Sequence, residues 1–409
     1  MNITPSRDNS IHLSVVATSR NDNHGGYLTQ RMQHFVDGFV EQCKRHGLRA
    51  ELILVEWNPP ADRVPLMEEL RWPQDLGPCE IRLVTVPREL HTRLPHADQL
   101  PLFQMIAKNV GVRRARGRFV LATNIDILFS DEAVVFMRDR LEPGCLYRAD
   151  RLDVPTELPA GVSFEELLRF CREEAFRNHT AGFTLVKKDG RWHPRSPLAG
   201  AAAGLWRAAW RNVHELLGRD EAPAGTRGLA RSTAPAPVAS RGRQSLARKI
   251  RSLRKFLVWT WVTILGKRLF TNACGDFTLL SRADWDALRA YPEWPMYSWH
   301  LDSLLIYQAR YSGMREVYLG RSAPVYHIEH SPGSGFTPES SDKLFERLQA
   351  RGIPYLDWER DVEPKIDAMK AQQTRGGGAI YYNDNGWGFA DQALEEARVG
   401  AAHRNRVTA

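Results

Sequence analysis

Along the first 150 residues the chain alternates between two hydrophobic periods. Residues 11–17 form a short apolar run. Residues 28–46 then place Met32, Phe35, Val36, Phe39 and Val40 at helical spacing on one side. Apolar runs at 51–55 and 81–86 read as two more strands. Asp98 is a suitable N-cap for a helix running to Arg116, and a buried strand starts at Arg118. Such alternation predicts an α/β fold, with a mainly parallel sheet flanked by helices.

Beyond residue 150 the pattern weakens. Residues 151–219 read as a helical or irregular insertion, with one helix expected over 164–176. Residues 220–243 are rich in Ala, Pro, Gly, Ser and Arg and hold too little apolar surface to offset ordering, so a disordered linker is expected. In residues 244–268, Leu246, Ile250, Leu253, Leu257, Trp261 and Ile264 share a helical face. Arg248, Lys249, Arg251, Arg254 and Lys255 lie largely elsewhere, and no acidic residue occurs. This basic amphipathic helix has two readings, a segment at a membrane surface or a helix packed on the core with its charges solvated. Strands are then expected at 277–280, 316–319 and 324–328, and helices at 282–290, 299–311 and 342–351. Residues 332–335 form a glycine-containing loop, 381–389 are turn-rich, and the last ten or so fray.

Composition narrows the function. The 409 residues carry a net charge of +8, much of it in 244–268, and no nucleic-acid reader motif accompanies it, so nucleic acid is not an expected partner. The five cysteines are scattered without a Cys-x-x-Cys pair, which points away from disulfides and zinc and towards a reducing cytosol. No apolar h-region opens the chain and no run is long enough to span a bilayer. The expected location is cytoplasmic, peripheral at the inner face of the membrane where the basic helix binds it.

The most informative stretch is 107–128. Its strand, residues 119–122, is followed by Asn124-Ile125-Asp126, which puts a carboxylate at the carboxyl edge of the sheet, where open α/β folds bind ligands. Asn109 with Gly111, Ala115 with Gly117, and Asn124 with Asp126 together resemble the nucleotide-sugar-binding core of GT-A-fold glycosyltransferases, especially family 2. Asn124 stands where that family has its first acid. The resemblance covers roughly 11–130 and 270–335. It implies a nucleotide-sugar-binding half over 1–150, an acceptor-binding half over 269–335 and a C-terminal extension over 336–409.

It further implies sugar transfer from a nucleoside-diphosphate sugar to an acceptor hydroxyl, with inversion, helped by Mn²⁺ or Mg²⁺. Asp126 and His327, the latter ending the 324–328 strand, would hold the metal. Thr18, Ser19, Arg20, Asn21, Glu56, Asn109 and Asn124 would meet the nucleotide sugar. Asp302 would be the general base, with Asp276 its rival, and Trp299 and His300 would contact the acceptor, a glycan or a lipid-linked one. The competing reading is a catalytically silent protein of the same fold, a binding or scaffold module held at a membrane through 244–268. A sugar-phosphate nucleotidyltransferase ranks below both, since Thr18-Ser19-Arg20-Asn21-Asp22 lacks the glycine-rich loop such enzymes need after the first strand.

Overall fold

The computed structural model describes residues 10–181, 183–195, 269–330 and 341–400. The expected linker at 220–243, the basic amphipathic helix at 244–268 and the 332–335 loop lie outside the described residues. The chain forms two units, one of Met1–Ala181 with Leu269–Ala409 and one of Gly182–Arg268.

The first segment of the larger unit contributes strands β1 (Leu13–Ser19), β2 (Ala50–Trp57), β3 (Cys79–Val86), β4 (Phe119–Thr123), β5 (Ile127–Phe129), β6 (Cys145–Arg148), β7 (Arg151–Val154) and β8 (Arg177–His179). In the smaller unit, β9 (Thr184–Lys188) and β10 (Arg191–Pro194) make an antiparallel hairpin. Asp189 and Gly190 turn it, both with positive φ, as a two-residue hairpin loop requires. The larger unit is completed by β11 (Phe277–Ser281), β12 (Arg315–Tyr318), β13 (Val325–Ile328) and β14 (Glu395–Arg398). Its helices are α1 (Leu28–His46), α2 (Leu66–Glu69), α3 (Arg88–His91), α4 (Gln104–Arg113), α5 (Asp131–Asp139), α6 (Phe164–Glu174), α7 (Arg282–Leu288), α8 (Leu301–Tyr311), α9 (Ser341–Ala350) and α10 (Glu363–Thr374). A π-helical turn, Trp358–Val362, leads into α10.

The main sheet runs β12-β6-β11-β4-β1-β2-β3-β14. Its centre, β4-β1-β2-β3, is parallel, while β11 and β14 join antiparallel. Both faces are covered, so the middle of these strands is mostly apolar on both sides. Val16, Ile53, Val55 and Val84 point into a core shared with Ile106 and Val110 of α4 and Leu304 and Leu305 of α8. Val15, Ala17, Leu52, Leu54 and Leu83 point the other way, against Phe35, Val36 and Phe39 of α1. A smaller sheet, β8-β7-β13-β5, lies in the same unit. Its β13 pairs with β5 and β7, which brings the chain around 327 beside the carboxyl end of β4.

The α/β architecture is the one expected, with local differences. The helix expected over 98–116 begins at Gln104, because Pro101 disfavours helical backbone in the residue before it. Residues 151–181, expected within an insertion, build β7, α6 and β8 of the larger unit. The C-terminal segment supplies β14, whose Glu396 pairs with Arg82 of β3 at 2.8 Å. Turn geometry also explains the glycine before β4. A methyl group at Gly117 would meet the Ser14 backbone nitrogen at 2.6 Å and the Leu13 carbonyl carbon at 2.8 Å, both in a central strand. Gly117→Ala is therefore expected to destabilise the fold by about 1–3 kcal/mol in urea unfolding; an unchanged midpoint would contradict this packing.

Candidate active site

Asp126 follows β4, and its carbonyl accepts from the Ile328 N–H at 2.9 Å, which fixes it against β13. The side chain is buried. Oδ2 accepts from Arg31 Nη1 at 2.7 Å, with His330 Nε2 at 3.5 Å and His327 Nε2 at 3.9 Å. Oδ1 has no hydrogen-bond partner among the described residues. Ligand atoms of Asp126, His327 and His330 lie within 4.8 Å of one another. A carboxylate oxygen and two imidazole nitrogens suit Mn²⁺, and an orphaned buried oxygen is what such a site presents. His327 Nδ1 is held 3.1 Å from Asp153 Oδ1, which fixes the ring and aims Nε2 at Asp126. Carboxylates habitually orient metal-binding histidines in this way. Burial alone would depress the His327 imidazole and nearby Arg151 opposes its charge, yet Asp126 and Asp153 raise it above its ordinary range.

Asp153 is fully buried and gathers four cationic or imidazole groups. Arg151 Nε lies at 2.9 Å, Arg177 Nη1 at 2.8 Å, His179 Nε2 at 3.1 Å and His327 Nδ1 at 3.1 Å. Burial would raise its carboxyl, but Arg151, His179 and His327 together hold it well below the carboxylate range. The second three-residue cluster, Asp153, His327 and Glu329, is thus already occupied by protein cations. Arg151 then reaches Asp276 Oδ2 at 2.6 Å. Asp276 is kept ionised in the same manner, burial being outweighed by Arg151 and His327. Its Oδ1 accepts from Asn124 Nδ2, and Asn124 Oδ1 accepts from Gln104 Nε2 at 3.0 Å. One polar chain therefore runs from Arg31 through Asp126, His327, Asp153, Arg151, Asp276 and Asn124 to Gln104.

Other expected site residues fall around this chain with differing freedom. Thr18 and Ser19 end β1; Ser19 Oγ accepts from the Asn21 N–H at 3.2 Å, and Asn21 donates to the Val64 carbonyl at 2.8 Å. Arg20 pairs with Asp22 at 3.1 Å and is partly exposed. Glu56 caps the start of α2 through the Leu66 N–H at 3.0 Å, and burial raises its carboxyl. Asn109 is fully buried, with bonds to both the carbonyl and the N–H of Tyr291 and to Glu293, so it ties α4 to the 291–293 segment. Asn124 joins Gln104 to Asp276. Asp302 lies half-buried in the first turn of α8, with Oδ1 accepting from the Ser303 N–H at 2.8 Å. His300 sits in the left-handed region before that helix, its ring against Trp299 and Trp358.

Four participants escape a sequence reading: Arg31, Lys108, Arg151 and Asp153. Lys108 is fully buried on α4 and donates to the Gly275 carbonyl at 2.6 Å. Burial pushes its ammonium down to about 8, against the opposing pull of Asp276, Asp302 and Asp126. One ammonium thus lies within electrostatic reach of three carboxylates from three separate segments.

No family model and no curated protein sequence matches the chain. Among solved structures it is similar to GalNAc-T7 with UDP, GalNAc and Mn²⁺, at 13% identity and a TM-score of 0.39, over 93% of this chain and 54% of that one. This chain therefore spans about half the length of that protein. It is also similar to S. aureus TarS 1-349, at 11% identity and a TM-score of 0.36, over 89% of this chain and 72% of that one.

The electrostatic hub gives a direct test. Since folding depresses the Asp153 pKa, the unfolded chain binds more protons as pH falls through about 4, so this stabilisation is present above that pH and is lost below it. Asp153→Asn leaves buried cations unpaired and should cost about 3–5 kcal/mol at pH 7 in denaturant unfolding. It should also flatten the loss of stability below about pH 4. Wild-type stability in the variant would contradict the hub.

Proposed function

We propose that the protein is a metal-dependent glycosyltransferase of the GT-A type, transferring a sugar from a nucleoside-diphosphate sugar to an acceptor hydroxyl. The observation carrying this reading is buried Asp126 at the carboxyl end of β4 with His327 and His330 beside it, ligand atoms of all three lying within 4.8 Å of one another. Asp126, His327 and His330 would hold Mn²⁺ or Mg²⁺. When bound, the ion would neutralise the leaving diphosphate.

The chain's own residues divide the remaining work. Arg20, on the partly exposed loop after β1, meets the diphosphate, while Thr18, Ser19 and Asn21 shape the wall for the nucleoside. Glu56 contributes to that wall through the α2 start that it caps. Asp276 is a poor base, because Arg151 and Asn124 occupy its two oxygens. Asp302 is free of such an ion pair among the described residues and takes the acceptor proton, with inversion at the anomeric carbon. Trp299 and His300 offer ring faces and edges to a glycan or lipid-linked acceptor. Among the described residues no helix is long and apolar enough to cross a membrane. Membrane-surface association would rest on 244–268.

Calorimetric titration with UDP- and GDP-sugars, in Mn²⁺ and in EDTA, tests the reading. Binding should require Mn²⁺ and weaken about a hundredfold in Asp126→Ala, the scale of a lost metal ligand or its support. A folded protein that binds no sugar nucleotide would overturn the proposal in favour of the catalytically silent module.

A further inference from the structure

Arg31 stands on α1, and its guanidinium is buried against Asp126. It makes two kinds of contact. Nη1 donates to Asp126 Oδ2 at 2.7 Å. Nη2 donates to the His24 carbonyl at 2.5 Å and the Gly26 carbonyl at 3.1 Å, and Nε donates to the Gly26 carbonyl at 3.3 Å. Both carbonyls belong to the loop between β1 and α1. Five of its residues have positive φ: Asn21 at 58°, Asn23 at 56°, Gly25 at 73°, Gly26 at 75° and Tyr27 at 51°. Three of them carry side chains; asparagine tolerates this region but Tyr27 does not, so outside bonds help to hold the loop in this form. His330 packs against the loop beside Arg31, since a methyl group at Gly25 would come within 2.5 Å of the His330 Nδ1 and 3.2 Å of the Arg31 Nη2.

Arg31 and His330 thus meet the loop together at Gly25, and both also converge on Asp126 Oδ2. A divalent ion seated among Asp126, His327 and His330 would draw on that same carboxylate. Two positive centres sharing one buried carboxylate repel strongly.

We infer that Arg31 is a positioning residue that couples the cation site to the donor loop, which rests on the metal reading proposed above. While Asp126 holds the guanidinium, Arg31 clasps the loop closed through the His24 and Gly26 carbonyls. A divalent cation at Asp126 displaces the guanidinium and releases residues 21–27, the segment that carries Arg20's neighbours toward the diphosphate. Metal affinity therefore follows the charge at position 31, whereas loop order follows its hydrogen bonds.

Two readouts on the full chain separate these effects: Mn²⁺ affinity from the free-ion paramagnetic resonance signal, and amide hydrogen exchange across residues 22–28. In the wild type, Mn²⁺ should accelerate exchange in the loop about tenfold or more. Arg31→Gln, which removes the charge, should tighten Mn²⁺ binding about tenfold, while Arg31→Lys, which keeps it, should stay within about threefold of wild type. Both variants should show fast loop exchange without metal. Unchanged Mn²⁺ affinity in Arg31→Gln, or slower wild-type loop exchange on adding Mn²⁺, would overturn the coupling and leave the metal reading standing. If neither wild type nor Arg31→Gln binds Mn²⁺, the metal reading itself fails and the coupling with it. Should either variant not fold, the wild-type exchange experiment alone decides.

Discussion

Ionised carboxylates cannot be left alone in a protein interior, and the candidate site of this chain is organised by that constraint. Asp126, Asp153 and Asp276 are all buried at the edge of the sheets. Each is compensated by a guanidinium, Arg31 on the first, Arg151 and Arg177 on the second, and Arg151 again on the third. Removing any one partner would strand a charge in a poorly solvated place, so the members hold one another in position. The arrangement confers geometry more than net stability. It sets the His327 ring by one nitrogen and leaves the other facing Asp126.

The same constraint gives a reason for Asn124. Its amide nitrogen donates to Asp276 across a short contact. An aspartate at 124 would set two carboxylates against each other there, with Arg151 the nearest compensation already shared with Asp153. An amide satisfies Asp276 and also accepts from Gln104. The departure from the acidic pattern at this position is thus accounted for by the local charge balance. It leaves Asp126 as the carboxylate of the group that could hold a cation, with His327 and His330 as its other candidate donors.

Much of the scaffold was legible from the chain. The apolar runs of β1, β2 and β3 and the one-sided helix α1 carry periods that burial imposes directly, and glycine at 117 marks a close approach to β1. Asp126 and His327 were paired only through the family resemblance, and the structure sets the His327 Nε2 3.9 Å from Asp126 Oδ2, with His330 nearer at 3.5 Å. What escaped were elements whose polar residues hide the pattern. β7 reads Arg-Leu-Asp-Val, and its charged positions look like solvent-facing residues until β13 and β8 are placed beside them. The alternation of Arg151 and Asp153 on one face was the available signal. β14, Glu-Glu-Ala-Arg, has no apolar alternation, and its Glu396 pairs with Arg82 of β3 and with Arg114 at the end of α4. Arg31 and Lys108 lie on helices where a basic residue normally means a solvated face, and only tertiary contacts show that theirs is buried.

The central claim is that Asp126, His327 and His330 form a divalent-cation site beside a nucleotide-sugar pocket. Crystals grown with Mn²⁺ and a nucleoside diphosphate, measured at the manganese absorption edge, test it most directly. The account predicts an anomalous peak within bonding distance of Asp126 and at least one of the two histidines, with the diphosphate on the ion's open side. A peak elsewhere, or a bound diphosphate with no ion at Asp126, would contradict it.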